Sequence, residues 1–270
     1  MTAILQPFAN LVEPGSYQLA NGGALTVDWT APLAFGLTGC WVPGVTGALD
    51  LSGNNNNLTT DTGAAFGGTP EGPGLKSTAA NSGYYSPALA VTNPLQSSTI
   101  GLTLFWRGLM LGAPPSFGGF IAILLGVLDN PPFTITEVRV DNAGNFQLTS
   151  NSTQATGTAI PTSGMHSYCA TLTTTTQRGY VDGVQNCTNT VSLTTNSNAV
   201  FYINDHIPQS DNRWANAVCT LACAWGRPLS AGEVMGMHLN PYNFLAPAEY
   251  EMQTAFFPVP TFTLMPQIVT

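Results

Sequence analysis

The chain has 270 residues, 44% hydrophobic and 7% charged, with 28 Gly, 20 Pro and a formal net charge of −8. Six basic residues without a cluster exclude the phosphate contacts of a nucleic-acid binder. The longest apolar run, 120–128, is about half of what a bilayer crossing needs, so no membrane span is expected.

From the N-terminus, Pro7, Pro14-Gly15 and Gly22-Gly23 break any long element. Residues 1–30 therefore read as an extended arm, with Ile4, Leu5 and Phe8 as its apolar contacts. Strand candidates follow at 37–42 and, after an asparagine-rich turn at 50–57, at 98–111. In the latter, Leu102, Leu104, Trp106 and Gly108 share one face, and Thr103, Phe105 and Arg107 the other. The run 120–128 reads as a core strand buried on both faces. Segments 133–140 and 166–173 alternate apolar and polar residues, and a turn at 141–144 leads into 145–148. Asp182-Gly183 between extended residues is the turn that suits strand twist. Asp182 thus has a structural reason to be there.

The stretch from Arg227 onward carries the one convincing helix signal. Ser230 and Glu233 have capping-box spacing, Leu229 and Val234 can staple across the cap, and Pro241 stops the helix. Residues 247–270 hold Pro258, Pro260 and Pro266 among Phe256, Phe257, Phe262, Leu264, Met265 and Ile268. A segment too apolar for water and too proline-rich for a helix must lie on something, and a neighbouring subunit is expected. The five cysteines lack metal-finger spacing and read as buried thiols of a reducing compartment. Cys219 and Cys223 are expected on one face of a strand.

Four blocks in order resemble the laminin-G-like, concanavalin-A-type lectin and glucanase jelly-roll family. They are Gly36-Leu37-Thr38-Gly39-Cys40-Trp41, Asp50-Leu51-Ser52-Gly53-Asn54-Asn55-Asn56, His166-Ser167-Tyr168 with Tyr180-Val181-Asp182-Gly183, and Leu229-Ser230-Ala231-Gly232-Glu233-Val234 with Asn240-Pro241-Tyr242. The resemblance spans residues 34–245 and implies an all-β, antiparallel two-sheet jelly-roll sandwich. One short C-terminal helix and two extended arms complete the expected architecture, with the sandwich at 31–246. The opening Ala31-Pro32-Leu33-Ala34-Phe35-Gly36-Leu37 and the Asn-Pro ending are similar to the dialect of tailed-bacteriophage proteins, which implies a virion protein.

Several site expectations follow. No pair of carboxylates at alternating strand positions, no nucleophile elbow and no metalloprotease motif occurs outside the C-terminal arm, so no catalytic residue is assigned and no enzyme is expected. His166, His206 and His238 are far apart in sequence, which argues against a triad. No cofactor is expected beyond possible calcium at Asp50, Asn54 and Asn56. Glycan contacts are expected from Trp214, Tyr202, Asn204, Asp205, Tyr84 and Tyr85, with Trp214 the best exposed ring.

The leading functional expectation is a non-enzymatic capsid decoration protein, docking onto other virion proteins or itself through its arms. It would be made in the host cytoplasm without a signal peptide. The alternative is a carbohydrate-binding module for attachment to cell-surface glycans, and the third reading is a glycoside hydrolase.

Overall fold

The computed structural model describes residues 25–60, 63–78, 83–85, 101–113, 122–128, 136–141, 143–150, 153–191, 200–204 and 214–247. The chain is an all-β sandwich, as expected. In order its strands are β1 (Leu25–Val27), β2 (Leu37–Trp41), β3 (Thr59–Thr60), β4 (Ala65–Thr69), β5 (Gly72–Ser77) and β6 (Tyr84–Tyr85). There follow β7 (Leu102–Met110), β8 (Ala122–Leu128), β9 (Thr136–Val140), β10 (Asn145–Ser150), β11 (Thr153–Ala159) and β12 (Gly164–Leu172). The last are β13 (Thr176–Val181), β14 (Val184–Thr190), β15 (Val200–Ile203), β16 (Ala217–Trp225) and β17 (Leu245–Pro247).

One sheet runs β11-β10-β9-β8-β15-β6-β3; the other runs β14-β13-β12-β7-β16-β5-β4, with β2 also pairing β16. All the strand pairings are antiparallel. Alternation decides what each face buries. Leu102, Leu104 and Trp106 of β7 and Tyr168, Ala170 and Leu172 of β12 point between the sheets, where they meet Val138, Phe146, Leu148 and Phe201. Phe105 and Cys169 point the opposite way, into a second core with Trp225, Val234, Met237 and Phe244. That second core lies under helix α2 (Ala231–Leu239). The Ser230–Glu233 capping box forms as predicted, and Leu229 and Val234 are both buried beside it. A further short helix, α1 (Pro43–Thr46), went unread, because Pro-Gly-Val-Thr carries turn signals rather than helical periodicity.

Two expectations about the chain's course need correction. Strand β1 falls within the predicted N-terminal arm, yet it pairs with β17 and buries Leu25 and Val27. The two strands form a small sheet of their own beside the sandwich, so packed structure begins before residue 31. The remainder of both arms, with Ile4, Leu5, Phe8, Phe256, Phe257, Phe262, Leu264, Met265 and Ile268, lies outside the described residues. Cys219 and Cys223 do not share a face: Cys219 faces the inter-sheet core and Cys223 the helix side. A register shift between Cys219 and Leu221 inserts one extra residue and reverses the alternation. All five cysteines are free and buried.

Candidate functional site

The outward face of the seven-stranded sheet carries polar side chains where solvent-facing apolar ones would be costly. Cross-strand register lines up Gln154, Thr149, Glu137, Gly126, Tyr202, Tyr85 and Thr59, one from each strand. A second row places Thr156, Gln147 and Arg139 side by side. The origin is local: β9 reads Thr-Glu-Val-Arg-Val and β10 reads Asn-Phe-Gln-Leu-Thr-Ser, so the valines, Phe146 and Leu148 go inward and the polar residues outward.

These groups hold one another in place. The Tyr202 hydroxyl donates to Glu137 Oε1 at 2.6 Å, and Arg139 Nη1 donates to Glu137 Oε2 at 2.9 Å. Arg139 Nε donates to Gln147 Oε1 at 2.7 Å, and Gln147 Nε2 donates to Thr156 Oγ1 at 3.0 Å. Gly126 lets the tyrosine reach: a Cβ there would stand 2.5 Å from the Tyr202 hydroxyl oxygen. Glu137 and Tyr202 are sealed, whereas Arg139, Gln147 and Thr149 each keep an opening of 5–6% and Gln154 and Thr156 are exposed. Two buried polar atoms on this floor, Arg139 Nη2 and Thr149 Oγ1, have no hydrogen-bond partner. Unpaired buried polar atoms are uncommon in native proteins, and each calls for a partner such as a water or a ligand group.

The predicted glycan contacts divide sharply. Tyr85 is half-exposed on the outer row, next to Tyr202, but Tyr202 is buried and acts as the prop for Glu137. Tyr84 points inward and is buried, its hydroxyl pushed up to about 12 by desolvation. Asn204 is also a structural residue rather than a surface one. Its Oδ1 accepts from Trp106 Nε1 at 2.8 Å, its Nδ2 donates to the Leu75 carbonyl at 3.0 Å, and its backbone N–H donates to Leu124. It ties the two sheets together. Trp214 is half-buried, and Asp205 lies outside the described residues. Arg139, Gln147 and Thr149 were missed, although the alternation of β9 and β10 shows them on one face.

The suggested calcium ligands form a turn anchor. Asp50 Oδ1 accepts from the N–H groups of Cys40 and Ser52, and Oδ2 from the Ser52 hydroxyl and the Asn56 N–H, at 2.7–2.9 Å. The Asn54 and Asn56 amide nitrogens both turn inward to the Thr38 carbonyl. Four donors aimed at one carboxylate present positive dipoles where a cation would sit, so these residues do not suit calcium as arranged.

Distance in sequence also misled for the histidines. His166 Nδ1 lies 2.7 Å from Asp182 Oδ2, and His238 Nδ1 lies 3.7 Å from Asp182 Oδ1 and 3.0 Å from the Ser167 hydroxyl. The Ser, the Asp and one ring nitrogen converge, but Ser167 is buried and both partners of His238 meet the same Nδ1. A relay needs the two ring nitrogens to face different partners, so this cluster fastens α2 to the sheet rather than performing acyl transfer. His206 lies outside the described residues.

No family model and no curated protein matches the chain. Solved structures do. Trypanosoma rangeli sialidase in complex with sialic acid is 17% identical with a TM-score of 0.59, over 78% of this chain and 34% of the sialidase. The chain thus spans about a third of that enzyme's length. The binding domain of Paraclostridial Mosquitocidal Protein 1 is 16% identical with a TM-score of 0.59, over 78% of this chain and 53% of that one. Domain 4 of AbnA, a GH43 extracellular arabinanase from Geobacillus stearothermophilus, in complex with arabinotriose, is 15% identical with a TM-score of 0.54, over 75% of this chain and 98% of the domain. These likenesses establish the β-sandwich fold. They overturn the expectation of a virion decoration protein: the chain resembles parts of a sialidase and of an arabinanase and the binding domain of a mosquitocidal protein, and the arms on which that reading leaned lie outside the described residues.

Proposed function

We propose that the chain is a non-catalytic carbohydrate-binding module that reads a glycan over β9–β11. The observation that carries this is the pair of unpartnered buried groups, Arg139 Nη2 and Thr149 Oγ1, on a floor already rigidified by Glu137, Gln147 and Tyr202. Sugar hydroxyls both donate and accept, and a floor of one guanidinium, two amides and two hydroxyls suits them. Because Arg139 is paired with Glu137, the floor is close to neutral, which favours a neutral sugar over an acidic one. The arabinotriose bound to the AbnA domain supports the same class.

Hydrolysis has less support. Most glycosidases flank the scissile bond with two carboxylates, and among the described strands of this sheet Glu137 is the one carboxylate. Its oxygens are engaged by Tyr202 and Arg139.

A glycan array followed by calorimetry with arabinotriose tests the proposal. Thr149→Ala and Gln154→Ala should each remove about one hydrogen bond, ~1 kcal/mol, or roughly a fivefold loss of affinity. An empty array, or binding indifferent to both substitutions, refutes it. Sustained turnover of a polysaccharide refutes the non-catalytic half.

A further inference from the structure

The loop between β1 and β2 buries Leu33 and Ala34 and leaves its two aromatic rings in water: Trp29 is 57% and Phe35 76% exposed. The loop is nevertheless pinned throughout. The Asp28 N–H donates to the Phe244 carbonyl, the Asp28 carboxylate takes the Thr30 N–H and hydroxyl, and Trp225 Nε1 donates to the Leu33 carbonyl at 2.7 Å. The Gly226 N–H closes on Gly36, whose φ of +76° requires glycine.

Phe35 is held most firmly. Arg227 Nε donates to its carbonyl at 2.8 Å, and the Arg227 guanidinium carbon lies 5.7 Å from its ring centroid. Arg227 Nη2 is fixed in turn by Glu233 Oε1 at 2.7 Å. The ring has a cation against it and is otherwise mostly open to water. Single exposed apolar residues need no explanation. Trp29 and Phe35 are two exposed rings on one pinned loop, and Phe35 is braced by the Arg227–Glu233 ion pair.

We propose that Phe35 and Trp29 form a second sugar-contact surface, which rests on the carbohydrate-binding reading above. The C–H groups on the apolar face of a sugar ring carry partial positive charge and suit the negative face of an aromatic ring. Arg227 Nη1 remains available to a ring hydroxyl. A protein partner is disfavoured, because a stable interface covers about 800 Å² per side and this surface offers two rings and a guanidinium. The loop packs onto the core beneath α2, outside the eight-stranded sheet, so this surface and the Arg139 floor look away from each other. The module is thus bivalent for glycan and able to bridge two chains.

Calorimetry of the full chain with arabinotriose, xylotriose and cellotriose separates the outcomes. The proposal expects two sites per chain, reduced to one by Trp29→Ala/Phe35→Ala and to the other one by Thr149→Ala/Gln154→Ala. Phe35→Ala should weaken its site about tenfold while Phe35→Trp retains it, a pattern that a purely structural role would not produce. In a Trp214→Phe background, saturating sugar should also shield Trp29 from acrylamide quenching, since Trp41, Trp106 and Trp225 are already buried and Trp214 is half-buried. One site, lost only on the Thr149/Gln154 side and with quenching unchanged, overturns the second surface alone. No binding by the parent chain overturns both readings. Ring substitutions that alter self-association and leave sugar binding intact overturn the second surface in favour of a contact between copies.

Discussion

Ser167 on β12 and His238 on α2 meet at 3.0 Å between the hydroxyl and Nδ1. Burial holds the His238 imidazole below its ordinary value of 6.5, with Arg107 and His166 adding to the effect and Asp182 and Glu71 opposing it. In the neutral ring Nδ1 accepts the serine hydroxyl; a proton placed there abolishes that acceptor.

The sign of the pH dependence follows. The unfolded chain binds the proton first, so this stabilisation is complete above pH 6.5 and is lost as pH falls below it. Urea midpoints should drop between pH 7.5 and 5.5, and His238→Gln should flatten that drop. Equal slopes in the two proteins would refute the assignment. Ser167→Ala should cost about 1 kcal/mol at pH 7.5.

Gly126 should tolerate no side chain. Alanine there meets the Tyr202 ring, with 2.6 Å to Cζ, and should cost about 1–3 kcal/mol by overpacking. Tyr202→Phe removes the hydroxyl that donates to Glu137 and should cost about 1 kcal/mol. Denaturation of both, with a glycan titration, checks whether sugar affinity falls along with stability.

Helix α2 depends on a carboxylate with two tasks. Glu233 caps the Ser230 N–H and pairs with Arg227, and that pairing first of all lowers it to about 2. Its contribution is present above the unfolded value of 4.5 and is lost as pH falls from there toward 2. Ser230→Ala should cost about 1 kcal/mol. Glu233→Gln should also loosen Phe35, read in a Trp214→Phe background as faster acrylamide quenching of Trp29 on the same loop.

Asp50 should behave as a hydrogen-bond hub. Asp50→Asn loses acceptors for the Ser52 hydroxyl or the Asn56 N–H and should cost about 1–3 kcal/mol. Melting temperatures measured in calcium and in chelator should coincide; a rise in calcium that vanishes in the variant would restore a metal role.

Much of this fold is legible from alternation and turn chemistry. β7, β12 and the Asp182-Gly183 hairpin emerge from period-two patterns and a left-handed turn, with φ of 52° and 77° at the two turn residues. The bulge at Thr220 is not legible, because an inserted residue changes which face follows without changing composition. The candidate floor is half legible. Glu137, Arg139, Gln147 and Thr149 alternate visibly, but their neighbours Gly126 and Tyr202 come from other parts of the chain. Only sheet order sets them together. Local sequence does not separate a buried aromatic from an exposed one here: Tyr84 and Tyr202 are buried, whereas Trp29 and Phe35, set in a loop, are exposed.

The pairing of β1 with β17 has an architectural consequence. Leu25 lies opposite Pro247, so the polypeptide enters and leaves the sandwich about 5 Å apart. Such a unit can be spliced into a longer protein, or grafted onto a surface loop of another, as a self-contained cassette. Its two connections would sit side by side and leave the host's geometry almost undisturbed.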